Sequence, residues 1–334
     1  MLLELPVELR EIILSYLTRK EYKESVPCKD LLLCKSYLPI EEFAVLKEIP
    51  KVNLSSRTRL KSKSWSLKTG PLELEKLFIE SCRRNNAWLV EVLINKFKID
   101  PSDWNSRDAI LLALKFGHSK VVEIFLQDPR ISAKAEIIID SEHSGVNRSL
   151  WHNSFIQTAA GNGHLKIVER LLQDSRVNPA AMNNLSITSA CFYGHLEVVE
   201  RLLLDPRVDP SDQNNRAIRG ASRNGHFEVV KRLLQDPRVD PSDKNNDAIQ
   251  GASRGGHLKI VEILLQDPRV DPSADNNKTI QLACVYNHLE VVERLLLDSR
   301  VDPSVWNNVT IRMTSKAGHT KIVERLLLDP RCQL

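Results

Sequence analysis

The sequence predicts an all-α solenoid: about eight helix–turn–helix repeats with short projecting turns, preceded by a small helical N-terminal region. Three observations predict it. Histidines, most of them following a glycine, recur at His118, His164, His195, His226, His257, His288 and His319, with one interval of 46 and then five of 31. Eight residues before each histidine stands Ile110, Ile156, Ile187, Ile218, Ile249, Ile280 or Ile311, and five before it Ala113, Ala159, Ala190, Ala221, Ala252 or Ala283, with Thr314 in the last copy. After each histidine the apolar positions keep one stripe, as in Phe227, Val230, Leu233 and Leu234 of one copy.

Isoleucine followed three residues later by a small residue is helical spacing, and alanine lets a neighbouring helix approach closely. This is the first helix of each unit. The stripe after the histidine, with Glu228, Lys231 and Arg232 on its other side, predicts an amphipathic second helix of about ten residues. Asp-Pro-Arg or Asp-Ser-Arg ends it, because proline cannot continue a helix. The linker Val239-Asp240-Pro241-Ser242-Asp243-Lys244-Asn245-Asn246 is rich in turn formers; Asn245 is expected in the turn and Asn246 as N-cap of the next first helix. Neither helix could bury its stripe alone, so like must stack on like into a continuous core.

The phrase Asn224-Gly225-His226-Phe227-Glu228-Val229-Val230-Lys231-Arg232-Leu233-Leu234 resembles the second half of an ankyrin repeat. The resemblance covers roughly residues 75 to 334. It implies an ankyrin-like array that binds protein partners. Where that family opens its first helix with Thr-Pro-Leu-His, this chain reads Arg216-Ala217-Ile218-Arg219, and its unit is shorter than the usual length of about 33 residues.

The expected organisation is a helical N-terminal region over 1–48, a basic Ser/Lys-rich linker over 49–72, and the array over 73–334 with an inserted loop near 132–150. A weaker, capping unit opens the array around Phe78-Ile79-Glu80-Ser81-Cys82 and Trp88-Leu89-Val90. Near the N-terminus, apolar residues at Leu5, Leu9, Ile12, Ile13 and Leu17 with Pro6 at the start form one helical face. This phrase resembles the opening of an F-box, the element that docks on the adaptor of cullin-type ubiquitin ligases. That resemblance implies adaptor contacts by Leu5, Pro6, Leu9, Ile12, Ile13 and Leu17; the alternative is a helical cap on the first repeat. The segment from Lys51 to Lys68, with Arg57, Arg59, Lys61 and Lys63, reads as a solvated linker or as a polyanion-binding segment.

Composition agrees with stacked helices. Apolar residues make up 42% of the chain and aromatics 5%, and the net charge of +4 is too slight to argue for nucleic acid by itself. Six scattered cysteines form no disulfide framework or Cys-x-x-Cys pair, which points to an intracellular compartment, cytoplasm or nucleus. No run of apolar residues suits a membrane span. Catalytic, cofactor and metal sites are not expected: helices pack about 10 Å apart whereas zinc needs nitrogens at about 2 Å, so successive histidines cannot share an ion. The histidines and the Asp-x-Arg phrase recur in every unit and are expected to serve the frame.

Function should then lie in columns that vary. At the presumed turn tips stand Trp104, Trp151, Met182, Gln213, Lys244, Asp275 and Trp306, candidates for partner contact or for folding back over their own turn. On the exposed side of the first helices, the side that lines the concave surface in ankyrin-like stacks, stand Phe192, Tyr193, Arg216, Arg219, Arg223, Arg254 and Tyr286. The arginines suggest an acidic or phosphorylated partner segment, against the alternative of a solvated polar face.

Overall fold

The computed structural model describes residues 71–101, 104–128, 130–131 and 149–332, and the side chains there other than those of residues 71–74, 104–107, 149–152 and 305–308. The chain divides into two compact units, Met1–Lys76 and Leu77–Leu334. The F-box-like helix, the basic segment and residues 132–148 of the expected insert lie outside the described residues; Ser149 and Leu150 already belong to a helix.

Sixteen α-helices and no strand occur among the described residues. They pair as α1 (Pro71–Arg83) with α2 (Ala87–Asn95), α3 (Trp104–Lys115) with α4 (Ser119–Gln127), α5 (Ser149–Gly161) with α6 (Leu165–Leu172), and α7 (Ala181–Tyr193) with α8 (Leu196–Leu203). The array continues as α9 (Asp212–Asn224) with α10 (Phe227–Leu234), α11 (Asp243–Gly255) with α12 (Leu258–Leu265), α13 (Ala274–Val285) with α14 (Leu289–Leu296), and α15 (Val305–Lys316) with α16 (Thr320–Leu327). A single 3-10 turn, Pro330–Cys332, follows. From α3 onward each first helix packs on the next first helix, and each second helix on the next second helix. Second helices in the regular units span eight residues rather than ten, because the chain turns before the Asp-Pro step.

The isoleucine column is the floor of this packing. Ile110, Ile156, Ile187, Ile218, Ile249 and Ile280 are 0% exposed, as are Ala113, Ala159, Ala190, Ala221, Ala252 and Ala283. Burying each isoleucine contributes roughly 1.5–3 kcal/mol. In the last unit Ile311 and Val323 are only half-buried, whereas Thr314 is sealed and donates its hydroxyl to the Thr310 carbonyl at 2.6 Å.

Three polar rungs bolt one unit to the next. In the first, the ring Nε2 of His118, His164, His195, His226, His257 and His288 donates to a backbone carbonyl at the end of the preceding first helix, those of Arg83, Lys115, Gly161, Phe192, Arg223 and Arg254, at 2.8 to 3.1 Å. A carbonyl only accepts, so the tautomer follows. The ring does not cap its own helix. Glycine precedes it because the helix ends in a left-handed residue, Gly225 at φ 82°, with the His226 N–H closing back on Ala221 O at 3.0 Å.

The second rung is the Asp-x-Arg phrase. Arg238 clasps Asp236 with Nε at 2.9 Å and Nη2 at 2.7 Å, while Nη1 crosses to the Val208 carbonyl of the preceding unit at 2.8 Å. Arg130, Arg207, Arg269, Arg300 and Arg331 do the same with Asp128, Asp205, Asp267, Asp298 and Asp329. The ion pair lies within the unit and the link between units is a hydrogen bond to backbone.

The third rung corrects an expectation. Asn246 is not an N-cap: it is the last of three consecutive left-handed residues, Lys244, Asn245 and Asn246, at φ 53°, 57° and 64°. Its buried side chain instead accepts the Asp271 N–H of the following unit at 2.8 Å. Asn184, Asn215 and Asn277 receive Asp209, Asp240 and Asp302 in the same way, after left-handed triplets at 182–184, 213–215 and 275–277. Asparagine tolerates this backbone better than other side chains, and the bridge across units repays the conformation.

Candidate functional site

With the frame residues spoken for, the varying side chains lie on two surfaces. The first comprises the left-handed turns. Met182, Lys244 and Asp275 are exposed and Gln213 is half-buried. Asp275 pairs with Lys278 at 2.7 Å, and Gln213 accepts from Arg216 Nη1 at 2.8 Å, so two of these tips are tied down by their own helix. The side chains of Trp104, Trp151 and Trp306 lie outside the described ones, as do Leu5, Pro6, Leu9, Ile12, Ile13 and Leu17.

The second surface is the outer face of α7, α9, α11 and α13. Phe192 and Tyr193 close α7 with 44% and 60% of their surface exposed, and their rings meet edge-on with centroids 5.1 Å apart. At the other end Tyr286, 43% exposed, lies under the Arg254 guanidinium at 4.8 Å from the ring centroid. A cation over a tyrosine ring at that distance is held in place while its edge stays open to a ligand.

Glycines inside α9 and α11 bring these side chains down onto the next helix. A Cβ on Gly220 would meet Phe192 Cδ2 at 3.5 Å, and one on Gly251 would meet Arg223 Cβ at 3.3 Å. Mid-helix glycine costs about 0.5–1 kcal/mol relative to alanine. Here it lets Phe192 and the Arg223 stem lie flat along the face.

The arginines expected to act together do not share one role. Arg219 donates to Asp247 at 2.8 Å and to the carbonyls of Gln213 and Asn214 at 3.3 and 3.0 Å, closing the left-handed turn of its own unit. Gln250 and Gln281 do the same at Asn245 O and Asn276 O, at 2.6 and 2.8 Å. Arg219 is therefore chiefly a frame residue. Arg223 reaches Asp247 only at 3.5 Å, and no carboxylate pairs with Arg216 or Arg254 among the described residues. Sequence reasoning missed Asp247, whose signal was a lone acid in a column that reads Arg216 and Lys278 in the flanking units.

No group of histidine, cysteine and carboxylate side chains suited to a metal ion occurs among the described residues. Burial pushes the thiols of Cys82 and Cys191 well above their ordinary range and that of Cys284 up to about 12, so these are packing groups rather than nucleophiles. No described helix is long and apolar enough to cross a membrane. The face displays rings and guanidinium groups.

Comparison with known proteins agrees with the geometry. Models of ankyrin repeats match residues 218–307, as three copies, and residues 187–234. Among solved structures, 51 chains match; one is the X-ray structure of an ankyrin repeat family protein from Legionella pneumophila, 18% identical, covering 68% of this chain and 70% of that one with a TM-score of 0.31. No curated protein matches. Residues 187–307 are thus similar to ankyrin repeats, and the paired helices there and around them stack like on like as an ankyrin-type solenoid does.

Proposed function

We infer that the array is a protein-recognition scaffold whose partner lies along the outer face of α7, α9, α11 and α13. One observation carries this reading: the exposed rings of Phe192, Tyr193 and Tyr286 sit on a face whose unit-to-unit histidine bonds are made by other residues. Exposed aromatics beside arginine are the composition of binding hot spots. The surface is preformed, so association orders little.

A finer reading makes the chain a substrate receptor, holding a client on the array while Leu5, Pro6, Leu9, Ile12, Ile13 and Leu17 engage a cullin-ligase adaptor. It rests on the resemblance of that short segment to an F-box. An intracellular setting fits free, buried cysteines. Affinity purification of the full chain tests both. The scaffold reading expects partners that disappear when Phe192, Tyr193 and Tyr286 become alanine; recovery of the same partners by that variant overturns it. The receptor reading expects a cullin adaptor that is lost with Leu9→Asp and Ile13→Asp, and fails if no adaptor is recovered.

A further inference from the structure

The third residue before the histidine reads Phe192, Arg223, Arg254 and Val285 in four successive units, and the next column reads Tyr193, Asn224, Gly255 and Tyr286. Two arginines are thus bracketed by aromatic and aliphatic groups along one line of the face. Packed helices stand about 8–10 Å apart, and an extended chain advances about 3.3 Å per residue. One unit therefore corresponds to about three residues of an extended ligand.

We propose that this line reads an extended acidic peptide in which two carboxylates, three residues apart, meet Arg223 and Arg254, with an apolar residue three positions beyond each. This deepens the scaffold reading and rests on it. The geometry suits the task. The Arg223 stem lies against Gly251 and its head is 53% exposed, loosely attracted by an Asp247 that Arg219 holds more closely. Tyr286 fixes Arg254 from one side. Guanidinium takes a carboxylate through two parallel hydrogen bonds, which rewards correct spacing. Phe192, Tyr193 and half-buried Val285 offer the apolar ends.

The test uses the full chain and a fluorescein-labelled decapeptide with leucine at each end and two glutamates three positions apart between them, followed by fluorescence anisotropy. Saturable binding is expected, weakened about tenfold when the glutamates are made adjacent, and about tenfold by Arg223→Glu or Arg254→Glu. A peptide with lysines in place of the glutamates should bind the doubly reversed variant better than the wild type. Unchanged melting of both variants is expected, since both heads are exposed. Binding that ignores glutamate spacing, that survives both reversals, or that is exceeded by a single-stranded DNA decamer overturns the proposal. The scaffold reading fails separately: partners recovered from cells that depend on Phe192 and Tyr286 but not on Arg223 and Arg254 leave it standing and remove the acidic ligand.

Discussion

The imidazole of His257 occupies the space a side chain at Gly225 would need: a Cβ there would lie 2.6 Å from His257 Cε1, while Nε2 donates to Arg223 O at 3.1 Å. The glycine is therefore required twice, for its φ of 82° and for the ring of the following unit. Gly225→Ala is expected to destabilise the array by about 2–4 kcal/mol, from left-handed strain and overpacking together. Combining it with His257→Ala should recover part of that loss, so urea unfolding of the two single variants and the double variant gives a favourable coupling. Strict additivity would mean that the ring and the glycine do not share the space.

Two unit boundaries carry asparagine where the others have that glycine. At one of them Asn287 has φ 65°, and the following histidine, His319, donates through Nδ1 to Cys284 O at 2.9 Å; at the other Asn85 has φ 57°, and His118 keeps the Nε2 bond, to Arg83 O at 2.9 Å. Asn287→Gly relieves the left-handed side chain. A gain of about 1 kcal/mol in urea unfolding is expected, together with slower amide exchange over residues 305–332; no gain would show that Asn287 holds its turn through a bond glycine cannot replace.

The carboxyls of Asp205, Asp236, Asp267, Asp298 and Asp329 are held below the ordinary aspartate value of 3.8, first by the hydrogen bonds of the arginine two residues on. A depressed folded value adds stability that is fully present above 3.8 and is lost as pH falls through the lower folded values. The urea midpoint should accordingly stay level from neutral pH down to about pH 5 and drop below about pH 4. Asp236→Asn should lower it at pH 7 and flatten the acid limb; an unchanged limb would place the acid sensitivity elsewhere.

Ser222 and Ser253 are fully buried, and neither hydroxyl has a partner. The same column holds Ala160, Cys191 and Cys284 in other units, so the site accepts a group without a donor. Ser253→Ala is expected to raise stability by about 1 kcal/mol, because an unsatisfied hydroxyl costs more than the methyl-sized space it fills. Calorimetry decides; a lower melting temperature would show that the hydroxyl does find a bond.

Adjacent asparagines provide a paired contrast. Asn215 is buried, accepting Asp240 N–H at 2.8 Å and donating to Asp243 at 2.9 Å, whereas Asn214 is exposed with the same left-handed backbone. Asn215→Ala should cost about 2–4 kcal/mol, from an orphaned amide plus strain, and Asn214→Ala about 1 kcal/mol from strain alone. Equal losses in urea unfolding would deny the bridge between units.

The sequence by itself determined the eight helix pairs, the isoleucine and alanine columns that build the core, and the place of the repeated histidines in the frame. The reason is translational: in a stack each copy meets the same neighbours, so a column that never varies reports a contact that every unit makes. Only the tertiary structure decided where polar side chains go when they leave their own unit. The histidine bonds lie 34 to 49 residues back, with His319 at 35, and Asn246 reaches 25 residues forward; Asp247 draws Arg219 and Arg223 from 28 and 24 residues away. Local pattern made Asn246 resemble a cap and made four arginines resemble one stripe. Stacking brought another unit's amide to the first and a carboxylate into the second, because a side chain at a unit boundary bonds to whichever copy lies beside it.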